Sequence, residues 1–393
     1  MTPVRVAIIA DMLEERWPSM DLVADMLLKQ LRRDYAGQVD ATLFRPRMRT
    51  RATAVPLFRS TPLAFTVDRF TNRLWHYPRA AGKIASSFDV FHIVDHSYSQ
   101  VVHALPAGRT LVTCHDLDTF RSVLEPEFDP RSAPFRAMTR HILGGLQKAA
   151  HVACDTEATR DALVEKARID PSRTSVVPNG PHPSCSPDPE PSADAEAGRL
   201  LGPAGRHVEL LHVGSTIARK RIDVLLHVIA AVRRQCADAR LVRVGGPFTA
   251  EQRALVRDLG LKDAIVVLPF LDRSTLAAVY RRSAVVLLPS EREGFGLPVL
   301  EALACGTPIV ASDIEPLREV GGGAVEYCDA EDVADWTETV LHLLTEDADR
   351  DRLQARRAAG IARAASFSWS RYAADAVALY ARIAAPHHAA VSR

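Results

Sequence analysis

The sequence has no excess of either charge. Its 393 residues carry 49 Lys and Arg against 48 Asp and Glu, a net charge of +1. That argues against a globally basic nucleic-acid binder, so no nucleic-acid partner is expected. There is no C-x-x-C among the six cysteines, Cys114, Cys154, Cys185, Cys236, Cys305 and Cys328. A zinc ribbon or a thioredoxin-type site is thereby excluded. Cysteines scattered in this way suit a reducing compartment. No apolar run approaches the roughly 18 residues of a membrane-spanning helix. The opening MTPVRVAIIADM offers only a short apolar run before Asp11, too little for a secretory signal. The expected location is the cytoplasm. Two nucleotide signatures are also missing. The first apolar run is followed by Asp11-Met12-Leu13-Glu14-Glu15 rather than G-x-G-x-x-G, and no G-x-x-x-x-G-K-[ST] occurs. Gly321-Gly322-Gly323 follows a charged stretch and reads as a turn. No Asp/His grouping demands a metal, so none is expected.

What is present is globular. Hydrophobic residues make up 47% and charged residues 25%, which excludes a wholly disordered, collagenous or coiled-coil chain. The length corresponds to two or three domains at roughly 150 residues each. Short apolar runs alternate with amphipathic stretches. Strands are expected at Val4–Ala10, Asp89–Val94, Thr110–Thr113 and His151–Cys154, with helices at Met20–Arg33, Ala133–Ala149 and Glu157–Ala167. From Pro181 to Arg206 the alternation stops in a Pro-rich, acidic stretch that reads as a linker or surface loop. It then restarts. Strands are expected at Glu209–Val213, Arg240–Val244, Ile265–Val267, Val285–Leu288 and Pro308–Ala311. Helices are expected at Ile222–Gln235, Glu251–Leu259, Arg273–Arg282, Pro298–Cys305, Ala330–Thr345 and Asp347–Ala364. Such alternation predicts two Rossmann-like, doubly wound parallel-sheet domains. A ligand would lie in the cleft where they face each other.

Three segments carry candidate chemistry. In PSEREGFGLPVLEALACGTPI (Pro289–Ile309), a strand enters a loop with Gly294 and Gly296, and Pro298 suits a helix start. Backbone amides at such a helix start suit an anion or sugar hydroxyls, and Glu293 and Glu301 can accept from hydroxyls. The plain alternative is a strand–loop–helix connection with solvated glutamates. In LLHVGSTIARKRI (Leu210–Ile222), a strand ends at Gly214 and three cations follow, Arg219, Lys220 and Arg221. Cations are unfavourable near a helix N-terminus, so an anion between them explains their presence better than a solvated basic turn does. Third, Thr113-Cys114-His115-Asp116 closes a strand. His115 there is a candidate hydrogen-bonding group, against the commoner structural role of a lone histidine.

EGFGLPVLEALACGTPIVAS, GSTIARK, TCHD, VVPNG (Val176–Gly180) and FSWSRYAADAVALY (Phe367–Tyr380) resemble segments of the family-4 retaining glycosyltransferases. The resemblance spans nearly the whole chain and is looser before residue 88. It implies an α/β, GT-B fold: an N-terminal acceptor-side domain over 1–180, a linker at 181–206, a donor domain over 207–366, and a helix at 367–385 crossing back. It implies transfer of a hexosyl unit from a UDP- or GDP-linked sugar, without cofactor or metal, in surface polysaccharide or exopolysaccharide assembly. Arg219 and Lys220 would bind the diphosphate and stabilise the leaving group. Glu293 would contact the donor sugar and Glu301 the ribose. The amides of Gly294, Phe295, Gly296 and Leu297 would meet hydroxyls and phosphate, beside Gly214. The base would lie near Val267–Leu271, with Val267, Phe270 and Leu271 around it. His115 would contact the transferred sugar. The alternatives are a degenerate sugar-nucleotide-binding partner subunit and a GT-B nucleotide-sugar epimerase.

The sequence departs from the family where relatives carry a glycine-rich turn after the first strand. Here Asp11–Asp21 has no glycine. This loop is expected to build an acceptor pocket from Glu14, Glu15, Arg16 and Trp17, with Asp116 nearby. Between Phe44 and Lys83 lie nine Lys or Arg and one acid, Asp68, interleaved with Phe44, Phe58, Phe65, Phe70, Trp75 and Tyr77. Basic plus aromatic character suits an anionic membrane surface or a lipid-diphosphate acceptor, against the plain alternative of an Arg-rich surface loop. The expected setting is peripheral, at the inner face of the cytoplasmic membrane. The tail after Arg382 is expected to fray.

Overall fold

Strands buried on both faces read as unbroken apolar runs, and the chain's apolar runs become such strands. A computed structural model describes residues 2–55, 61–346 and 349–391. Residues up to Asn179, together with the helix that starts at Trp369, form unit 1, and Gly180–Ser368 form unit 2. Unit 1 contains β1 (Val4–Ile9), β2 (Val39–Phe44), β3 (Val90–Ile93), β4 (Thr110–Cys114), β5 (His151–Cys154) and β6 (Thr174–Val176). They pair in parallel in the order β2-β1-β3-β4-β5-β6. Unit 2 contains β7 (Val208–Val213), β8 (Ala239–Val244), β9 (Ile265–Leu268), β10 (Val285–Leu288), β11 (Ile309–Ser312) and β12 (Glu326–Cys328). Their order is β12-β11-β10-β7-β8-β9, again parallel. Each sheet therefore has one point where winding reverses, between β1 and β3 in unit 1 and between β7 and β10 in unit 2. The carboxyl ends of those strands are where such sheets bind ligands.

Four parts of the sequence reading need correction. The strands β2, β6 and β12 have no counterpart in the expected set. All three are sheet edges, where one flank is open and polar residues replace the apolar run, as in Val39–Phe44 with its alternating burial. The stretch 181–206 is not all loop, because Pro191–Leu201 is a helix. Pro191 opens it, and Ala193, Ala197 and Leu201, spaced by four, bury one stripe in the core of unit 2. The segment 62–82 is helical, running through Pro62–Thr71, a wide turn at Asn72–His76, and Tyr77–Gly82. Lastly, the tail does not fray after Arg382, because the final helix runs Trp369–Val391 with Ile383 and Ala384 buried.

That final helix is tied into unit 1 by a polar chain. Tyr380 Oη lies 2.7 Å from His92 Nδ1, His92 Nε2 lies 2.7 Å from Thr113 Oγ1, and Thr113 Oγ1 lies 3.2 Å from Tyr372 Oη. All four residues are buried. Burial lowers the His92 pKa to about 3, so the ring is neutral.

Candidate active site

In unit 2 the two loops that leave β7 and β10 meet at the reversal point. The loop after β7 turns through Ala218–Lys220 and enters the helix Ile222–Arg233. The Glu291 amide donates to the Arg219 carbonyl at 2.8 Å, joining it to the loop after β10. Arg219 Nη1 donates to the Arg292 carbonyl at 2.7 Å and to Glu293 Oε2 at 3.3 Å. Lys220 Nζ donates to Glu293 Oε1. The anion expected between these cations is thus the chain's own carboxylate. Burial disfavours the Glu293 charge, but Lys220 and Arg219 outweigh it and hold the pKa below the usual range. The third cation of the run does not join them. Arg221 pairs with Asp223 and Glu331, each at 3.1 Å.

The helix after this loop, Leu297–Ala304, starts at Gly296 with φ 88° and carries Pro298 in its first turn. That φ favours glycine, and a Cβ on Gly296 would also stand 2.4 Å from Leu317 Cδ2. Phe295 turns its ring into the core against Phe367. Glu301 is buried, accepts from Tyr280 Oη at 2.9 Å and lies 3.8 Å from Arg273. Burial raises its pKa. The two glutamates of the motif are therefore pushed in opposite directions, one held ionised and one towards neutrality. Val267 is in the edge strand β9 and 40% exposed, Phe270 just beyond it is 64% exposed, and Leu271 packs on the core.

Unit 1 gathers a second polar cluster at its own reversal point, beyond β1 and β3. Asp11 is buried, and burial together with the nearby Asp95 carboxylate raises its pKa well above the carboxylate range. Glu15 is turned inward, 3.3 Å from Arg69 and 3.7 Å from Arg73. Glu14 accepts from the Met48 amide at 3.3 Å. These two glutamates are therefore partnered within unit 1 rather than set out as a pocket wall. Arg16 makes the turn a glycine would make, at φ 56°, and both it and Trp17 are exposed. Both ring nitrogens of His115 have partners within unit 1. Its Nδ1 lies 2.6 Å from Asp155 Oδ2, and its Nε2 lies 2.7 Å from the Val94 carbonyl. Burial opposes its charge, but Asp155 and Asp95 outweigh it and raise the pKa to about 9. Asp116 caps the turn after β4 by accepting from the Asp118 amide at 3.0 Å.

Comparison with known proteins bears on the family and the fold. Residues 23–184 match Glycosyltransferase Family 4, and residues 201–359 match Glycosyl transferases group 1. The D-inositol 3-phosphate glycosyltransferase of Frankia alni is 30% identical over 346 residues, 84% of this chain and 81% of its own. The chain belongs to glycosyltransferase family 4. The enzyme of the same name from Mycobacterium sp. (strain KMS) is 33% identical over 279 residues, 69% of this chain. The match spans 60% of that relative's length. Sucrose-phosphate synthase from Thermosynechococcus elongatus superposes with a TM-score of 0.74 at 21% identity, covering 98% of this chain and 100% of its own. Anabaena HepE in complex with UDP-glucose superposes with a TM-score of 0.67 at 16% identity, covering 95% and 99%. The fold of this family-4 chain is GT-B.

The family motifs pointed to Arg219, Lys220, Glu293 and Glu301, and unit 2 brings the first three together with Glu301 on the next helix. Sequence reasoning missed Asp11, Asp95, Asp155, Tyr280 and Arg273. Asp155 follows β5 directly and Asp11 lies two residues beyond β1, positions that signal a site in this fold class. Tyr280 sits on the helix Arg273–Arg282 at helical spacing, where nothing separates it from an ordinary core residue.

Proposed function

We propose that this family-4 chain transfers a hexosyl unit from a UDP- or GDP-linked sugar to a glycan or glycolipid acceptor, with retention at the anomeric carbon. The reading extends to surface polysaccharide or exopolysaccharide assembly. The convergence of Arg219 and Lys220 on the largely buried Glu293 side chain at the ends of β7 and β10 supports it most. Two cations arranged for one anion suit a diphosphate, which would displace Glu293 and free it for the donor sugar. In the reaction the bond between the anomeric carbon and the diphosphate oxygen breaks. A bond to the acceptor oxygen forms on the same face, and the acceptor proton passes to the departing diphosphate. Arg219 and Lys220 stabilise the charge that develops there, so no resident metal is required. The UDP and UDP-glucose held by Anabaena HepE favour a uridine donor. A phosphorylated polyol acceptor is a second reading, favoured by the names of the curated relatives.

The test is thermal shift and calorimetry with UDP, GDP, ADP and their sugar conjugates, all in EDTA. Ligand binding to the native state raises the melting temperature by mass action. One nucleotide is expected to shift it, with no loss in EDTA and no shift in Lys220→Ala. Turnover in that variant falls by more than ~10²-fold, the scale of one lost charge-stabilising group. Restoration of turnover by magnesium alone would refute metal independence. Absence of any shift would leave the partner-subunit reading, and release of an epimerised sugar nucleotide without acceptor would leave the epimerase.

A further inference from the structure

Arg243 is fully buried on β8, where strand alternation calls for an apolar side chain. Its register partner on β7 is His212, also fully buried. The preceding pair on the same face is Leu210 and Leu241, both in the core beneath the helix Ile222–Arg233. A guanidinium and an imidazole therefore replace the last apolar layer at the carboxyl end of the sheet. Among the described residues no carboxylate pairs with Arg243, and neither ring nitrogen of His212 has a hydrogen-bond partner. Burial lowers the Arg243 pKa only to about 10, so it stays charged at neutral pH. Burying an ion without a counter-ion is strongly unfavourable.

What Arg243 does hold is backbone. Nη2 donates to the Gly214 carbonyl at 3.0 Å, Nη1 donates to the Gly246 carbonyl, and the guanidinium lies 5.1 Å from the Phe248 ring centroid. The Gly214 amide donates to the Val244 carbonyl at 2.9 Å, and Gln252 Nε2 donates to the Thr216 carbonyl at 3.1 Å. Gly245 closes the arrangement at φ 127°, because a Cβ there would stand 2.0 Å from the Gly214 oxygen. Gly214 in turn touches the candidate site. A Cβ on it would lie 3.2 Å from His212 Cε1 and 3.8 Å from Lys220 Cδ. Arg243, His212, Gly214 and Lys220 are contiguous.

We infer that Arg243 is a positioning residue of the donor site: a buried third cation that braces the Gly214 and Gly246 backbone and adds its charge to those of Arg219 and Lys220. Its counter-ion is the diphosphate. The inference rests on the nucleoside-diphosphate reading above and names a residue that reading does not contain.

The experiment is calorimetry of UDP, GDP and ADP, each against its bare nucleoside, on the full chain. Arg243→Gln keeps a donor and loses the charge, whereas Arg243→Lys keeps the charge and loses the fork. Arg243→Gln is expected to weaken the bound diphosphate about tenfold, the scale of one charge a few ångströms behind a partly screened anion. The matching nucleoside should bind as before, and Arg243→Lys should recover most of the loss. Equal weakening of nucleoside and diphosphate would mark a purely structural role and overturn the inference. So would wild-type affinity in Arg243→Gln. If either variant fails to fold, the double variant Arg219→Ala, Lys220→Ala answers the same question. It should still prefer diphosphate over nucleoside, and loss of all preference overturns the proposal. If the wild-type chain binds no diphosphate, the donor reading itself falls. If it binds and Arg243→Gln is indifferent, only the role of Arg243 falls.

Discussion

His115 is held as an imidazolium by a carboxylate on one ring nitrogen and a carbonyl on the other. Its folded pKa, about 9, lies above the ordinary value of 6.5. Its stabilisation is therefore fully present below pH 6.5 and drains away as pH rises through 9. A shift of that size corresponds to at most about 3 kcal/mol. Urea unfolding of the wild type is expected to show stability falling across that interval. His115→Gln should flatten the fall. An unchanged slope in the variant would remove the charged-histidine account. Glu293 and Glu301 follow the same physics with opposite outcomes. Glu301 is buried and the Glu293 side chain is largely so, but only Glu293 has two cations within reach of both oxygens. Glu301 has a phenol and a more distant guanidinium, and desolvation wins.

Among the elements, the final helix gives the clearest test. Tyr380→Phe would leave His92 Nδ1 without its partner in a site closed to water. A buried polar group left unmade costs about 1–3 kcal/mol, so chemical denaturation should show a loss of that order in unit 1. A neutral effect would mean that water reaches His92. The elements also show where sequence was readable. Interior strands such as Val285–Leu288 and Thr110–Cys114 stand in the sequence as uninterrupted apolar or β-branched runs. The edge strands β2, β6 and β12 and the helix Pro191–Leu201 do not, because a half-exposed element needs only every second or fourth residue to be apolar. Site residues divide in the same way. Glu293, Lys220 and Arg219 belong to motifs that stay close in sequence. His115–Asp155 and Tyr280–Glu301 are pairs made by the sheet and its helices, and no local pattern announces them. Arg243 is a further case, since a cation within a strand pattern reads as a solvent-facing residue.

Across the whole molecule, the surface of unit 1 between Phe44 and Lys83 is less basic than its composition. Arg45 pairs with Asp21, and Arg69 and Arg73 lie against Glu15. Asp68 accepts from the amides of Arg51, Ala52 and Thr53. Phe58 and Arg59 lie outside the described residues. What remains is an apolar and cationic face. Leu63, Phe65, Val67, Phe70 and Trp75 are exposed, as are Arg47, Arg49 and Arg51, and Arg79 stacks on Trp75. Among the described residues no helix is long and apolar enough to cross a membrane. Such a face suits the surface of an anionic bilayer. We therefore expect co-sedimentation with anionic vesicles at low salt, none with neutral vesicles, and weaker binding in Trp75→Ala. Failure to bind anionic vesicles would remove the membrane reading.

The return of the chain to unit 1 also has a consequence for synthesis. Unit 2 is one unbroken stretch, so everything it needs has been made once Ser368 is added. Unit 1 is interrupted. His92 and Thr113 emerge from the ribosome early, and their partners Tyr372 and Tyr380 arrive only after the whole of unit 2 has been translated. Domains generally fold as units as they emerge, so the unit that starts first is the one that finishes last. A message cut short before Trp369 would yield a completed unit 2 joined to a unit 1 with an open polar seam, a product suited to recognition by chaperones and proteases.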